Sequence, residues 1–143
     1  MVAVSKLRTP AEIRGFCDLG HEHFAENYLN DAIEKMDQLD GQNITWHFIG
    51  ALQSRKIKTI ANSFDWVHTL ESKKQCALLQ QHHKCESPLN VCIQVNISGS
   101  KQKAGVSVDE VEPLVRFFLE NQVNHVTLRG LMTMCDLEHT DQE

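Results

Sequence analysis

Short apolar runs alternate with amphipathic stretches along the whole chain. Val2-Ala3-Val4 is apolar and stops at Ser5-Lys6. Pro10 suits a first helical turn, and Thr9 with Glu12 three residues on has the spacing of a capping box. Ile13, Phe16 and Cys17 give that helix an apolar face, and Gly20 a stop. His23-Phe24 predicts a short second strand. Leu29, Ala32, Ile33, Met36 and Leu39 recur at helical spacing up to the Asp40-Gly41 turn. Residues 44–49, rich in β-branched and aromatic types, predict a third strand ended by Gly50. Residues 51–62 read as a helix carrying Leu52, Ile57, Ile60 and Ala61. Trp66-Val67 predict a fourth strand and residues 72–83 a helix.

Residues 89–97 form a fifth strand whose near-continuous apolar run suits burial on both faces. Residues 99–105 read as a polar loop. Val111, Leu114, Val115, Phe118 and Leu119 mark an amphipathic helix. Residues 126–134 supply a sixth strand, and residues 136–143 a polar, structureless tail. This α/β alternation predicts a parallel sheet with right-handed crossovers. It leaves two architectures open: an open doubly wound sheet, or a portion of a closed βα barrel. Neither G-x-G-x-x-G nor G-x-x-x-x-G-K-[ST] occurs, which removes the usual nucleotide sites of open sheets.

Length bears on that choice. The chain has 143 residues, the size of one domain, whereas a complete (β/α)8 barrel takes at least ~200. Fourteen Lys and Arg against nineteen Asp and Glu give a net charge of −5, so a broad nucleic-acid surface is not expected. No apolar run approaches the ~20 residues of a membrane span, and the opening MVAVSKLRTP predicts no secretory signal. The five cysteines include no C-x-x-C pair and read as free thiols in a reducing, cytoplasmic setting. His82, His83 and Cys85 are the nearest approach to a metal cluster, short of four converging ligands, so no metal is expected.

Ligands of parallel α/β folds bind beyond the carboxyl ends of the strands. Those positions hold Lys6, Glu26, Asn27, His47, Gln53, His68, Thr69, Asn96, Lys103, Arg129 and Met132. Lys6 is the most suggestive. A lysine there, if buried, would have a lowered pKa, and a neutral amine attacks aldehydes. Lysines flanking strands are more often simply solvated, and His47 more often a satisfied core histidine, so the residues alone leave both readings open.

Five ordered stretches then converge. Val2-Ala3-Val4-Ser5-Lys6, Glu26-Asn27-Tyr28, the run from Trp46 through Gly50 to Gln53-Ser54 and Lys56, the run from Leu89 through Asn96-Ile97-Ser98 to Lys103 and Gly105, and Leu128-Arg129-Gly130-Leu131-Met132 resemble the motifs of the pyridoxal phosphate homeostasis proteins. That family is related to the N-terminal barrel domain of alanine racemase. The resemblance spans about residues 2–135 and implies a fold-type III barrel that binds pyridoxal 5′-phosphate (PLP). It implies that Lys6 holds PLP as a Schiff base, that Asn27 and Met132 line the pocket, that His47 and Asn96 lie nearby, and that Lys103 is a secondary aldehyde-reactive lysine. It also implies a role in intracellular PLP homeostasis without catalysis, with PLP-dependent apoenzymes as candidate partners and no membrane partner. The alternatives are a PLP-dependent amino-acid racemase and a truncated product with impaired PLP binding.

The chain departs from the family pattern at Ala25, where glycine is usual, and at Arg55, where asparagine is usual. It also lacks the helix that precedes the lysine strand in the family. Missing too are the two further βα units carrying the family's phosphate motifs. The expectation is therefore a single partial domain over residues 1–143: about six βα units of an incomplete (β/α)8 TIM barrel.

Overall fold

Each apolar run becomes a strand and each amphipathic stretch a helix in the computed structural model, which describes residues 1–100, 102–122 and 125–134. The order is β1 (Ala3–Val4), α1 (Pro10–Asp18), β2 (His23–Glu26), α2 (Leu29–Gln38), β3 (Thr45–Phe48), a 3-10 turn (Ser54–Lys56), α3 (Ile57–Ser63), β4 (Trp66–Leu70), α4 (Lys73–His82), β5 (Leu89–Gln94), α5 (Val108–Glu120) and β6 (Val126–Met132). Helix starts follow local chemistry. Thr9 Oγ1 accepts from the Glu12 N–H while Glu12 returns a bond to the Thr9 N–H. Ser72 Oγ accepts from the Gln75 N–H at the start of α4.

The six strands form one sheet in the order β1-β2-β3-β4-β5-β6, every pair parallel. This order settles the architecture. A doubly wound sheet reverses direction at a switch point, and this one never does. Right-handed crossovers that all step the same way put every helix on one face, as in a βα barrel. The core matches: Phe24, Trp46, Phe48, Val67, Val91 and Ile93 from the strands pack with Ile13, Ala32, Ile57, Ile60, Leu79 and Phe118 from the helices.

Several expectations shift. The helix expected over 51–62 begins only at the 3-10 turn, so residues 51–53 run unpaired past the end of β3. Strand β5 stops at Gln94, and Val95 makes one isolated bridge to Val106. Strand β2 extends to Glu26, because Phe24, Ala25 and Glu26 are all buried. Phe16 and Leu119, expected on apolar faces, are more than half exposed. Cys135 and the tail 136–143 lie outside the described residues.

Candidate functional site

Beyond β1 the chain makes a tight turn over residues 5–8, closed by the Arg8 N–H donating to the Ser5 carbonyl at 3.0 Å. Leu7, third in the turn, has φ 64°, a region that leucine adopts only under constraint. Lys6 is second in the turn. Val4 pairs with Ala25 in register and the Ser5 N–H bonds the Ala25 carbonyl, so Lys6 follows the last pair of β1 with β2 by two residues, as Asn27 does on β2. Its side chain is exposed and its amine meets no partner among the described residues. The burial expected at Lys6 is therefore absent: the side chain stands in solvent.

Behind the turn lies a buried ionic network. Glu26 is fully buried, and its Oε1 accepts from Ser5 Oγ and from Lys35 Nζ, both at 2.7 Å. Lys35 Nζ also donates to the Ser5 carbonyl at 3.0 Å and pairs with Asp31 at 2.9 Å. Burial acts against the Lys35 ammonium, but hydrogen bonds and the charges of Glu26 and Asp31 outweigh it, so its pKa stands above the ordinary lysine value. Sequence reading flagged Glu26 and missed Lys35. The available signal was Asp31 and Lys35 at i,i+4, with Lys35 beside the apolar positions of α2.

A cleft of about 490 Å3 opens at the carboxyl ends of β2 to β5. Asn27, Gly50, Gln53, Lys56, Glu71 and Gln94 are among its lining residues. Asn27 Oδ1 is buried there without a hydrogen-bond partner among the described residues, an unmet acceptor beside the cleft. Thr69 Oγ1 donates to the Gly50 carbonyl at 2.6 Å and holds the floor. Glu71 Oε2 accepts the Gly105 N–H at 3.0 Å, which ties the 97–105 loop to the cleft. A Cβ at Gly105 would lie 2.9 Å from the Asn96 nitrogen, and its φ is 113°, so glycine is required where the loop rejoins the strand. Arg55, the departure from the family pattern, bonds Gln53 Oε1 at 3.3 Å on the exposed rim. Ala25, the other departure, is buried without disturbing the pairing of β1 with β2.

The remaining predicted residues fall into different settings. Asn96 is spent on the loop: its Nδ2 donates to the Ser100 and Lys103 carbonyls at 2.7 and 3.1 Å, and its Oδ1 accepts from Ser98. Lys103 Nζ reaches the carbonyl of Met134, another cleft residue, at 3.5 Å. Met132 pairs in register with Gln94 of the cleft, yet it borders an apolar groove against α5 and not the cleft itself.

His47 lies inside the sheet's other face, 3% exposed. Its Nε2 is 3.0 Å from His23 Nδ1 and its Nδ1 is 2.9 Å from His68 Nε2. Burial, then the neighbouring His68, His23 and N-terminal charges, lower its pKa to about 4, so the ring is neutral at pH 7. It stacks on Trp66, whose ring also carries the Arg129 guanidinium at 5.3 Å. His23, on the strand that the pattern predicts, is thus part of a three-imidazole row. His83 is structural, bonding the carbonyls of Ala61 and Ser87.

The chemistry of these residues suits the aldehyde end of PLP: an exposed amine without a partner among the described residues follows β1, and an unmet amide acceptor follows the neighbouring β2. The glycine-rich phosphate motifs implied by the resemblance are not in the chain. The family model for the alanine racemase N-terminal domain matches residues 11–142. The chain is 39% identical over 137 residues to the pyridoxal phosphate homeostasis protein of Haemophilus influenzae, covering 94% of this chain and 57% of that one. It superposes on PipY of Synechococcus elongatus solved without PLP (TM-score 0.88, 32% identity) and with PLP bound (TM-score 0.86, 31% identity). Those matches cover 97% of this chain and 65% and 64% of PipY. The chain thus spans less than two thirds of the length of these relatives.

Proposed function

Because the chain belongs to the alanine racemase N-terminal domain family, we propose that it binds pyridoxal 5′-phosphate through Lys6 and serves PLP homeostasis as a carrier, not a catalyst. The observation that carries this reading is the Lys6 amine, exposed and free of partners among the described residues just beyond β1, with the unmet Asn27 acceptor just beyond the neighbouring β2. The bound cofactor supplies an aldehyde that condenses with a primary amine. Lys6 provides that amine, and the turn of residues 5–8 presents it. Asn27 offers an acceptor to the cofactor's polar edge, and Lys56 places a cation in the cleft. Lys103, whose Nζ reaches the carbonyl of the cleft residue Met134, is a second amine. PLP-dependent apoenzymes are the recipients this role calls for, in a reducing cytoplasm that suits free thiols such as Cys76 and Cys92. Among the described residues no helix is long and apolar enough to cross a membrane.

A racemase needs two acid–base groups poised on opposite faces of one carbon. Of the cleft's ionisable groups, Glu71 is already held by the Gly105 N–H and the Gln75 amide. His47 is locked between two other imidazoles. The carrier reading is tested by titrating the protein with PLP. A visible absorbance band that saturates, survives gel filtration and is lost in Lys6→Ala is expected. No band in the wild type overturns the reading. Lys6-dependent stereoinversion of free amino acids would replace it with the racemase.

A further inference from the structure

A buried ion pair is weak evidence for stability, since well-packed apolar residues of similar volume often serve the fold equally well. The pair of Glu26 and Lys35 therefore asks for another account, and its hydrogen bonds supply one, for they converge on Ser5. The Lys35 ammonium spends its three donors on the Ser5 carbonyl, Glu26 Oε1 and Asp31 Oδ2. Glu26 Oε1 takes the Ser5 hydroxyl as well. The Ser5 N–H is bound to Ala25, and the Ser5 carbonyl also accepts the Arg8 N–H that closes the turn. Every polar group of Ser5 is thus engaged. The next residue is Lys6, and the one after it, Leu7, sits at φ 64°. An exposed turn with a leucine in that region opens readily unless its base is held.

We propose that Glu26 and Lys35 are positioning residues for Lys6: their buried pair grips both polar groups of the Ser5 main chain and side chain that face α2, and so holds the strained turn that presents the amine. The role rests on Lys6 as the PLP-binding lysine, and it deepens that reading by naming what sets the lysine's geometry. Preorganising a reactive group in this way lowers the ordering needed when a ligand arrives. Glu26 and Lys35 touch no ligand themselves. They act through Ser5, which lies 21 residues from Glu26 and 30 from Lys35 in the chain and meets both only in the folded sheet.

The test uses the full chain and the double variant Glu26→Gln/Lys35→Met, which removes both charges at similar volume and leaves neither unpaired. In the protein without PLP, amide hydrogen exchange at Arg8 is expected to speed at least tenfold, while Phe64 and Asn121, whose N–H groups close the last turns of α3 and α5, exchange as in the wild type. The Kd for PLP, read from the visible band, is expected to weaken at least tenfold with the far-ultraviolet circular dichroism unchanged. A folded double variant with wild-type Arg8 exchange, or with faster exchange and an unchanged Kd, overturns the positioning role. A wild type without a PLP-dependent band overturns the cofactor reading instead. If the double variant does not fold, Ser5→Ala removes only the hydroxyl that Glu26 holds, and wild-type values for both measurements there overturn the proposal.

Discussion

Gly50 presses against the main chain of Asn27 so closely that a Cβ at position 50 would overlap the Asn27 carbonyl oxygen and lie 2.9 Å from its carbonyl carbon. The same Cβ would stand 2.9 Å from Phe48 Cζ, so neither side of the position can yield without moving a strand end or a core ring. The contact joins β2 to the segment after β3 at the floor of the cleft. Gly50→Ala is expected to destabilise the protein by about 1–3 kcal/mol, the usual cost of overpacking. A denaturant melt would show it as a lowered midpoint, and a midpoint equal to the wild type's would mean the floor can relax.

Buried His47, between His23 and His68, makes stability depend on pH. His47 titrates near 4 in the fold and near 6.5 when unfolded. Between those values the unfolded chain holds the extra proton, so this contribution is complete above pH 6.5 and is lost as pH falls through 4. It amounts to ~3 kcal/mol at most. The titratable groups acting on His47 are its two neighbouring imidazoles and the N-terminus, with the Arg129 guanidinium across Trp66. Denaturant midpoints at pH 7 and pH 4.5 should differ in the wild type, and the difference should shrink in His47→Gln. Equal slopes in the two proteins would assign the acid sensitivity to other groups.

Asn96 carries the loop over residues 97–105 through its two donations and one acceptance. Asn96→Ala is expected to cost about 1–2 kcal/mol and to expose the loop. Limited trypsin digestion should cut after Lys103 several-fold faster than in the wild type. An unchanged digestion rate would show that Glu71 and Gly105 hold the loop without it.

Thr9→Ala removes half of the capping box of α1. The Thr9 hydroxyl satisfies the Glu12 N–H, and Glu12 Oε2 bonds the Thr9 N–H at 2.7 Å. A loss of ~1 kcal/mol is expected in thermal or denaturant unfolding, and a loss below a few tenths would mean that solvent replaces the cap.

That cap is legible in the sequence, as are the alternating elements, the glycine ending β3 and the lysine beyond β1. All are short-range facts. A cap acts over three residues, a helix face repeats every 3.6 and a strand face every two, so neighbouring residues determine them. The boundaries that moved, at residues 51–53 and at the end of β5, moved where a distant partner intervenes: Thr69 on Gly50, Val106 on Val95.

What the chain could not specify locally is which distant residues meet. Periodicity is the same for a doubly wound sheet and for a barrel, and only the strand order, unreversed from β1 to β6, separates them. Lys35 reads as a surface residue of α2 until the packing of that helix on β1 and β2 brings its amine to Glu26 and Ser5. His47 reads as a strand residue until register sets it between His23 and His68. The sequence by itself determined the elements and placed an amine at a strand end. The tertiary structure decided the sheet order, the brace behind that amine and the neutral state of His47, because each depends on burial and on pairings between strands and helices far apart in the chain.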